Sequence, residues 1–321
     1  MLKRQACARS VRRLATVQGL VLAFALAAVG CGSDGEKGST EGQPIRVTAT
    51  VGMVADVVRN VGGDRVTVTA LMGPGVDPHL YKASEGDIAR LADADIVFYN
   101  GLLLEGKMTE VLEKIAQRGR TTVAVAERID ATKLLHPKEF EGHPDPHVWF
   151  DVSMWKQTIA PVVEALAAVE PESREQFQAN AARFGAELDA LHAWCGEQLA
   201  LVPEEGRVLV TAHDAFGYFG RAYGVEVVGL QGLSTASEYG LKDVRRIVDL
   251  VSERRVKAVF VESSVPKRSI EAVVEGCRAN GHDVRIGGEL FSDAMGEAGT
   301  PEGTYVGMVR ANVTKIVEAL R

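Results

Sequence analysis

The chain carries seven histidines, at positions 79, 136, 143, 147, 192, 213 and 282, and three of them fall beside expected strands or helix starts. His79 lies in "GPGVDPHLY", a turn-rich loop after a strand ending near Met72. His147 lies in "GHPDPHVWFD", before a helix expected from Asp151. His213 closes "VLVTAH", directly after a strand, and Asp293 lies in "GGELFSDAMG", after a strand expected to end near Ile286. Three imidazoles and one carboxylate make a closed four-coordinate set that suits zinc, whereas magnesium and calcium prefer all-oxygen shells. A site that uses four protein donors leaves no position for water or substrate, so this chemistry favours binding over catalysis.

Each of these residues also has an ordinary reading. A lone histidine after a strand is commonly a hydrogen-bonded loop residue, and Asp-Pro-His at 77–79 and 145–147 suits two plain turns. The joint placement, two donors from each half of the chain, carries the metal reading. His143 and His147 do not form a helical i, i+4 pair, because Pro144 and Pro146 oppose a helix there. His136 and His143 belong to a connecting loop, packing accounts for His192, and His282 has no evident role. Cys195 and Cys277 lie in expected helices, where a disulfide and two buried thiols are both open readings.

The elements that must position these donors alternate. "IRVTATV", "RVTVTALM", "DADIVFYN" and "RTTVAVAE" read as strands separated by helices, with Ser84 and Asp87 forming a capping box. From Pro171 the pattern changes to one apolar stripe, Phe177, Ala181, Phe184, Leu188, Leu191 and Trp194, on a helix of about thirty residues that Pro203 and Gly206 end. Alternation resumes with "RVLVTAH", "GVEVVGL", "VKAVFVE" and "HDVRIGG". The expected fold class is α/β: two similar α/β lobes with parallel-type sheets, joined by one long linker helix. Ligands in such sheets sit beyond the carboxyl ends of the strands, which places a site in the cleft between the lobes.

Residues 1–30 read differently from the rest. They hold five basic residues and no acid, then an apolar run and the small-residue end "LAAVGC" at Cys31. The pattern is that of an export signal. It resembles a bacterial lipoprotein signal, in which the cysteine becomes the lipidated N-terminus, so Cys31 is the expected lipidation site. Residues 31–44 are polar and rich in Gly and Ser, as in a flexible tether. The expected organisation is therefore signal 1–30, tether 31–44, first lobe 45–170, linker helix 171–203 and second lobe 204–321. The full chain has 36 basic and 43 acidic residues, and without its signal the net charge falls from −7 to −12. Such an acidic balance argues against a nucleic-acid partner.

"DPHLY", "DPHVWFDV", "TAHDAFGYF", "FVESSVP", "LFSDAMG" and "GTYVGMVRANVTKIVEAL" occur in this order. Together they make the chain, from about Ile45 to Arg321, similar to the metal-binding solute receptors of bacterial zinc and manganese ABC importers, the cluster A-I family. The resemblance implies ligands His79 and His147 from the first lobe and His213 and Asp293 from the second. It also implies Zn2+ or Mn2+ as bound cargo, an ABC permease as partner, and a monomer held at the membrane by its lipid anchor. Zinc-dedicated members often carry a long His-rich loop, which is short here, between Lys133 and Pro146. Manganese-dedicated members tend to have Glu where this chain has His213. A rival from another class is a lipid-anchored zinc hydrolase using the three histidines and Asp293 as general base. No H-E-x-x-H run or nucleophile elbow supports it.

Overall fold

A computed structural model describes residues 43–321. The export signal, Cys31 and the tether up to residue 42 lie outside the described residues.

The first lobe opens with β1 (Ile45–Ala49), α1 (Gly52–Gly62), β2 (Val66–Ala70), α2 (Glu85–Asp93), β3 (Ile96–Tyr99), α3 (Thr109–Gln117) and β4 (Thr121–Ala124). Its four strands are all parallel in the order β2-β1-β3-β4, with Ile45 opposite Val66 and Val47 opposite Ile96. Parallel neighbours need a crossover, and the helices supply it. α2 starts where the sequence places its cap: Ser84 accepts from the Asp87 amide, and Asp87 accepts from the Ser84 amide. Two further helices, α4 (Val152–Trp155) and α5 (Ile159–Val169), lead to the linker.

The linker α6 (Arg174–Leu199) has 26 residues, about 39 Å at 1.5 Å per residue. It is shorter than the thirty residues read from the sequence, because Pro171–Ser173 form a separate 3-10 turn before it. Phe177, Phe184, Leu188 and Leu191 of the expected stripe are buried, while Ala181 and Trp194 pack at its edge. α6 lies against α1 and α5 on one side.

The second lobe comprises β5 (Val208–His213), α7 (Gly217–Tyr223), β6 (Glu226–Gln231), α8 (Leu241–Glu253), β7 (Ala258–Glu262), α9 (Arg268–Ala279), β8 (Arg285–Leu290) and α10 (Tyr305–Leu320), and α10 also packs on α6. β5 pairs with β6 and β7 with β8, both in parallel, and β5 runs beside β7. The chain leaves β5 and β7 toward opposite edges, so the carboxyl ends of these two strands form a switch point. β8 runs two residues beyond the Gly-Gly at which the sequence reading stopped it. Gly287 sits where a Cβ would meet the Phe260 ring and Ala319 Cβ at 2.7 Å, so its lack of side chain admits α10 to the sheet.

The two lobes face each other at the carboxyl ends of their strands. Trp149 Nε1 donates to Ser292 O at 3.1 Å, Tyr218 Oη to Asp145 O at 2.8 Å and Tyr305 Oη to Trp149 O at 2.6 Å. These bonds tie the segments flanking His147 to the other lobe. Among the described residues no helix is long and apolar enough to cross a membrane.

Candidate metal centre

The two Asp-Pro-His segments build the same local turn. Asp77 Oδ1 accepts from the His79 amide at 2.9 Å, and Asp145 Oδ1 accepts from the His147 amide at 2.9 Å. Each aspartate folds the backbone back over the intervening proline, and the histidine leaves the turn in a fixed direction. The ordinary turn reading and the ligand reading therefore describe one device. His147 then opens a 3-10 turn, and Asp151 caps α4 by accepting from the amides of Ser153 and Met154. His213 is the last residue of β5, at the switch point, and Asp293 follows β8 by three residues.

These four side chains converge. Their donor atoms all lie within 4.8 Å of one another, and the residues are 3%, 0%, 0% and 1% exposed. His79 Nε2 is 3.3 Å from His147 Nε2, which is 3.5 Å from Asp293 Oδ1. Asp293 Oδ2 is 3.3 Å from His213 Nε2 and 3.9 Å from His79 Nε2. A tetrahedral zinc with bonds of about 2.0–2.2 Å needs donor separations of roughly 3.3–3.6 Å. Among the described residues this is the single such cluster of His, Cys and acidic donors.

The hydrogen-bonding state of the cluster is unusual. His213 Nε2 and both oxygens of Asp293 are buried, and no group outside the cluster hydrogen-bonds them. Buried polar atoms in that condition cost free energy unless something binds them. A tetrahedral cation would take up His213 Nε2 and one of the Asp293 oxygens.

Two carboxylates behind the imidazoles set their tautomers. His147 Nδ1 lies 2.7 Å from Asp145 Oδ1, and His213 Nδ1 lies 2.5 Å from Glu262 Oε2. An ionised carboxylate only accepts, so each Nδ1 carries hydrogen, and in its neutral form each ring would turn an Nε2 lone pair to the cluster. Glu262 also accepts from the His213 amide at 2.8 Å, which locks ring and backbone together across the β5–β7 boundary.

Electrostatics follow from burial and these neighbours. Burial pushes the His79 imidazole down to about 3, against the pull of Asp293. Burial also opposes charge on His213, but Glu262 and then Asp293 outweigh it and hold its pKa well above the usual value. Burial raises Asp293 too, yet His213, His147 and His79 leave it far below the ordinary carboxylate range. Before metal arrives, a proton on His213 therefore balances part of the negative charge.

The remaining histidines stay apart. His136 Nδ1 contacts Gly142 O at 3.2 Å, His143 packs edge-on to Phe140, His192 bonds Tyr223 Oη at 3.1 Å and His282 bonds Val256 O at 2.9 Å. Cys195 and Cys277 are buried and free, which removes the disulfide alternative. Sequence reasoning missed Asp77, Asp145 and Glu262. The repeated Asp two residues before His was the available signal for the first two; nothing local marks Glu262.

Comparison with known proteins agrees with this architecture. The family described as "ZnuA: Zinc-uptake complex component A periplasmic" matches residues 47–319. The manganese-binding lipoprotein MntA of Bacillus subtilis is 51% identical over 307 residues, covering 95% of this chain and 99% of that one. The zinc-binding protein TroA of Treponema pallidum is 49% identical over 282 residues, covering 88% and 90%. The solved structure of that periplasmic zinc-binding protein superposes with a TM-score of 0.84 over 87% of this chain and 99% of its own. No feature of the cluster or of these relatives supports the hydrolase reading. The chain belongs to the zinc-uptake complex component A family of periplasmic solute-binding proteins of metal importers, and it is not an enzyme.

Proposed function

We propose that the protein captures one divalent transition metal, zinc or manganese, between His79, His147, His213 and Asp293 and delivers it to an ABC permease. The observation that carries this reading is the trio of buried atoms with no hydrogen-bond partner outside the cluster, His213 Nε2 and both Asp293 oxygens, beside two more imidazoles with all four donors within 4.8 Å of one another. The printed names of the relatives divide between manganese and zinc. The donor chemistry favours zinc in affinity, because nitrogen-rich sites bind it above manganese in the divalent series. Cargo in the cell also depends on which ion is available.

The same reading places the protein outside the cytoplasm, as a monomer anchored by lipid on Cys31, with a tether to residue 44. It assigns residues 45–170 to the first lobe, 171–203 to the linker and 204–321 to the second lobe. Relatives named as lipoproteins support the anchor. Cys31→Ser should move the protein from the membrane fraction to the soluble one, and retention at the membrane would remove the anchor from the account.

The test of capture is a zinc–manganese competition titration on the full chain. Zinc should win, and His79→Ala and His213→Ala should each cost more than the 10–100-fold typical of losing an outer-shell partner. Manganese binding as tightly as zinc, or either variant binding like the unaltered protein, contradicts the assignment.

A further inference from the structure

The loop carrying His79, residues 73–80, has its own attachment to the second lobe. Asp77 serves two masters: Oδ1 accepts from the His79 amide, and Oδ2 accepts from Thr235 Oγ1 at 2.6 Å. Thr235 lies in the loop between β6 and α8. That loop is braced from behind by Gln231, whose side-chain amide donates to Thr235 O at 2.7 Å and to Ser237 O. Gln231 is the β6 partner of His213 in the ladder. A continuous path thus runs from His213 through Gln231, Thr235 and Asp77 to His79. Nearby, a Cβ on Gly75 would stand 3.4 Å from Ser263 O, so the backbone of the His79 loop closely approaches the second lobe at another point.

The other first-lobe ligand is held differently. His147 is secured through Trp149 to Ser292 and through Asp145 to Tyr218. Loop 73–80 is tied to the second lobe by the side-chain hydrogen bond from Thr235 to Asp77.

We infer that Thr235 is a positioning residue: its hydroxyl clasps Asp77, keeps His79 over the cleft, and so governs how fast bound metal leaves. The inference rests on the metal-capture reading above. Breaking the clasp frees one ligand while leaving the other three in place, which makes the His79 side the route by which the ion departs. Thr235 touches no metal donor, so its effect should appear in the release rate.

The experiment uses the zinc-loaded full chain and Thr235→Val, which keeps the shape and removes the hydroxyl, with Thr235→Ser as the conservative rescue. Release is followed by stopped flow after mixing with excess chelator and a fluorescent zinc indicator. A hydrogen bond to a charged group predicts release roughly tenfold faster or more in Thr235→Val. Thr235→Ser should stay within about twofold of the unaltered protein, since it retains the hydroxyl. Equal rates in Thr235→Val and the unaltered protein overturn the clasp. So does a Thr235→Ser protein as fast as Thr235→Val, because the hydroxyl that it retains then makes no difference to release. An unaltered protein that takes up no zinc overturns the capture reading first, and the clasp with it.

Discussion

At the residue scale, Glu262 shapes the site from behind His213, through hydrogen bonds to that residue's ring and amide. It fixes the His213 tautomer and raises that ring's affinity for a proton. Metal must displace this proton, so affinity should rise with pH through the ordinary imidazole range and on toward the raised value. Calorimetry at pH 7 in two buffers of different ionisation enthalpy should record release of about one proton per zinc bound. Glu262→Gln removes the carboxylate that holds that proton. It should reduce the release and weaken zinc by about 10–100-fold. Unchanged proton release in Glu262→Gln would remove this residue from the account. The candidate ligands were legible because each of these histidines falls at a strand end or in an Asp-Pro-His turn, signals visible in one dimension. Glu262 was not, because it ends a buried strand of ordinary composition, and its partner lies 49 residues away. Asp145 was hidden by the adequacy of its turn role.

At the element scale, α1 carries a buried acid beneath the start of α10. Asp56 accepts from the Tyr305 amide at 3.2 Å and from Asn60 Nδ2 at 3.2 Å, and burial pushes its carboxyl up to about 6. Its folded value exceeds its unfolded one, so the group stabilises the fold below the unfolded value and loses that contribution as pH rises through about 6. Asp56→Asn keeps an acceptor for Tyr305 and removes the buried charge. Thermal melts should show a gain at pH 8, up to about 3 kcal/mol for two pH units, and little change at pH 4. A loss of stability at pH 8 would show that the charge on Asp56 is needed at the α10 start. Packing at β8 is equally specific: Gly287→Ala should destabilise by roughly 1–3 kcal/mol in urea unfolding, because Phe260 and Ala319 leave no room. The cap of α2 was legible since Ser84 and Asp87 sit three apart. The end of β8 was not, because Gly-Gly normally signals a break, and here it marks close approach of a helix.

At the scale of the whole molecule, the linker limits what the lobes can do. α6 packs on α1 and α5 of the first lobe and on α10 of the second, with Phe177, Phe184, Leu188 and Leu191 buried along it. The bonds from Trp149, Tyr218 and Tyr305 cross between lobes beside the site. A wide hinge would have to break these together and expose apolar surface. Metal loss should therefore move loops and side chains more than lobes, and the radius of gyration by small-angle scattering should change by less than about 1 Å when zinc is removed, against the roughly 20 Å expected for a chain of this size. A larger expansion would show a hinge that the linker packing does not permit. The two-lobe plan was legible because strand and helix periodicities alternate on both sides of a long 3.6-residue stripe. How the lobes are fastened was not, because those bonds join residues more than seventy positions apart.

The central claim is that one ion is held by three imidazoles and one carboxylate drawn from both lobes. Zinc K-edge X-ray absorption on the zinc-loaded full chain tests it most directly. The spectrum should show a first shell of four nitrogen and oxygen donors at about 2.0–2.1 Å, with scattering from three imidazole rings and no sulfur. Two or fewer imidazoles, or a sulfur donor near 2.3 Å, would contradict it.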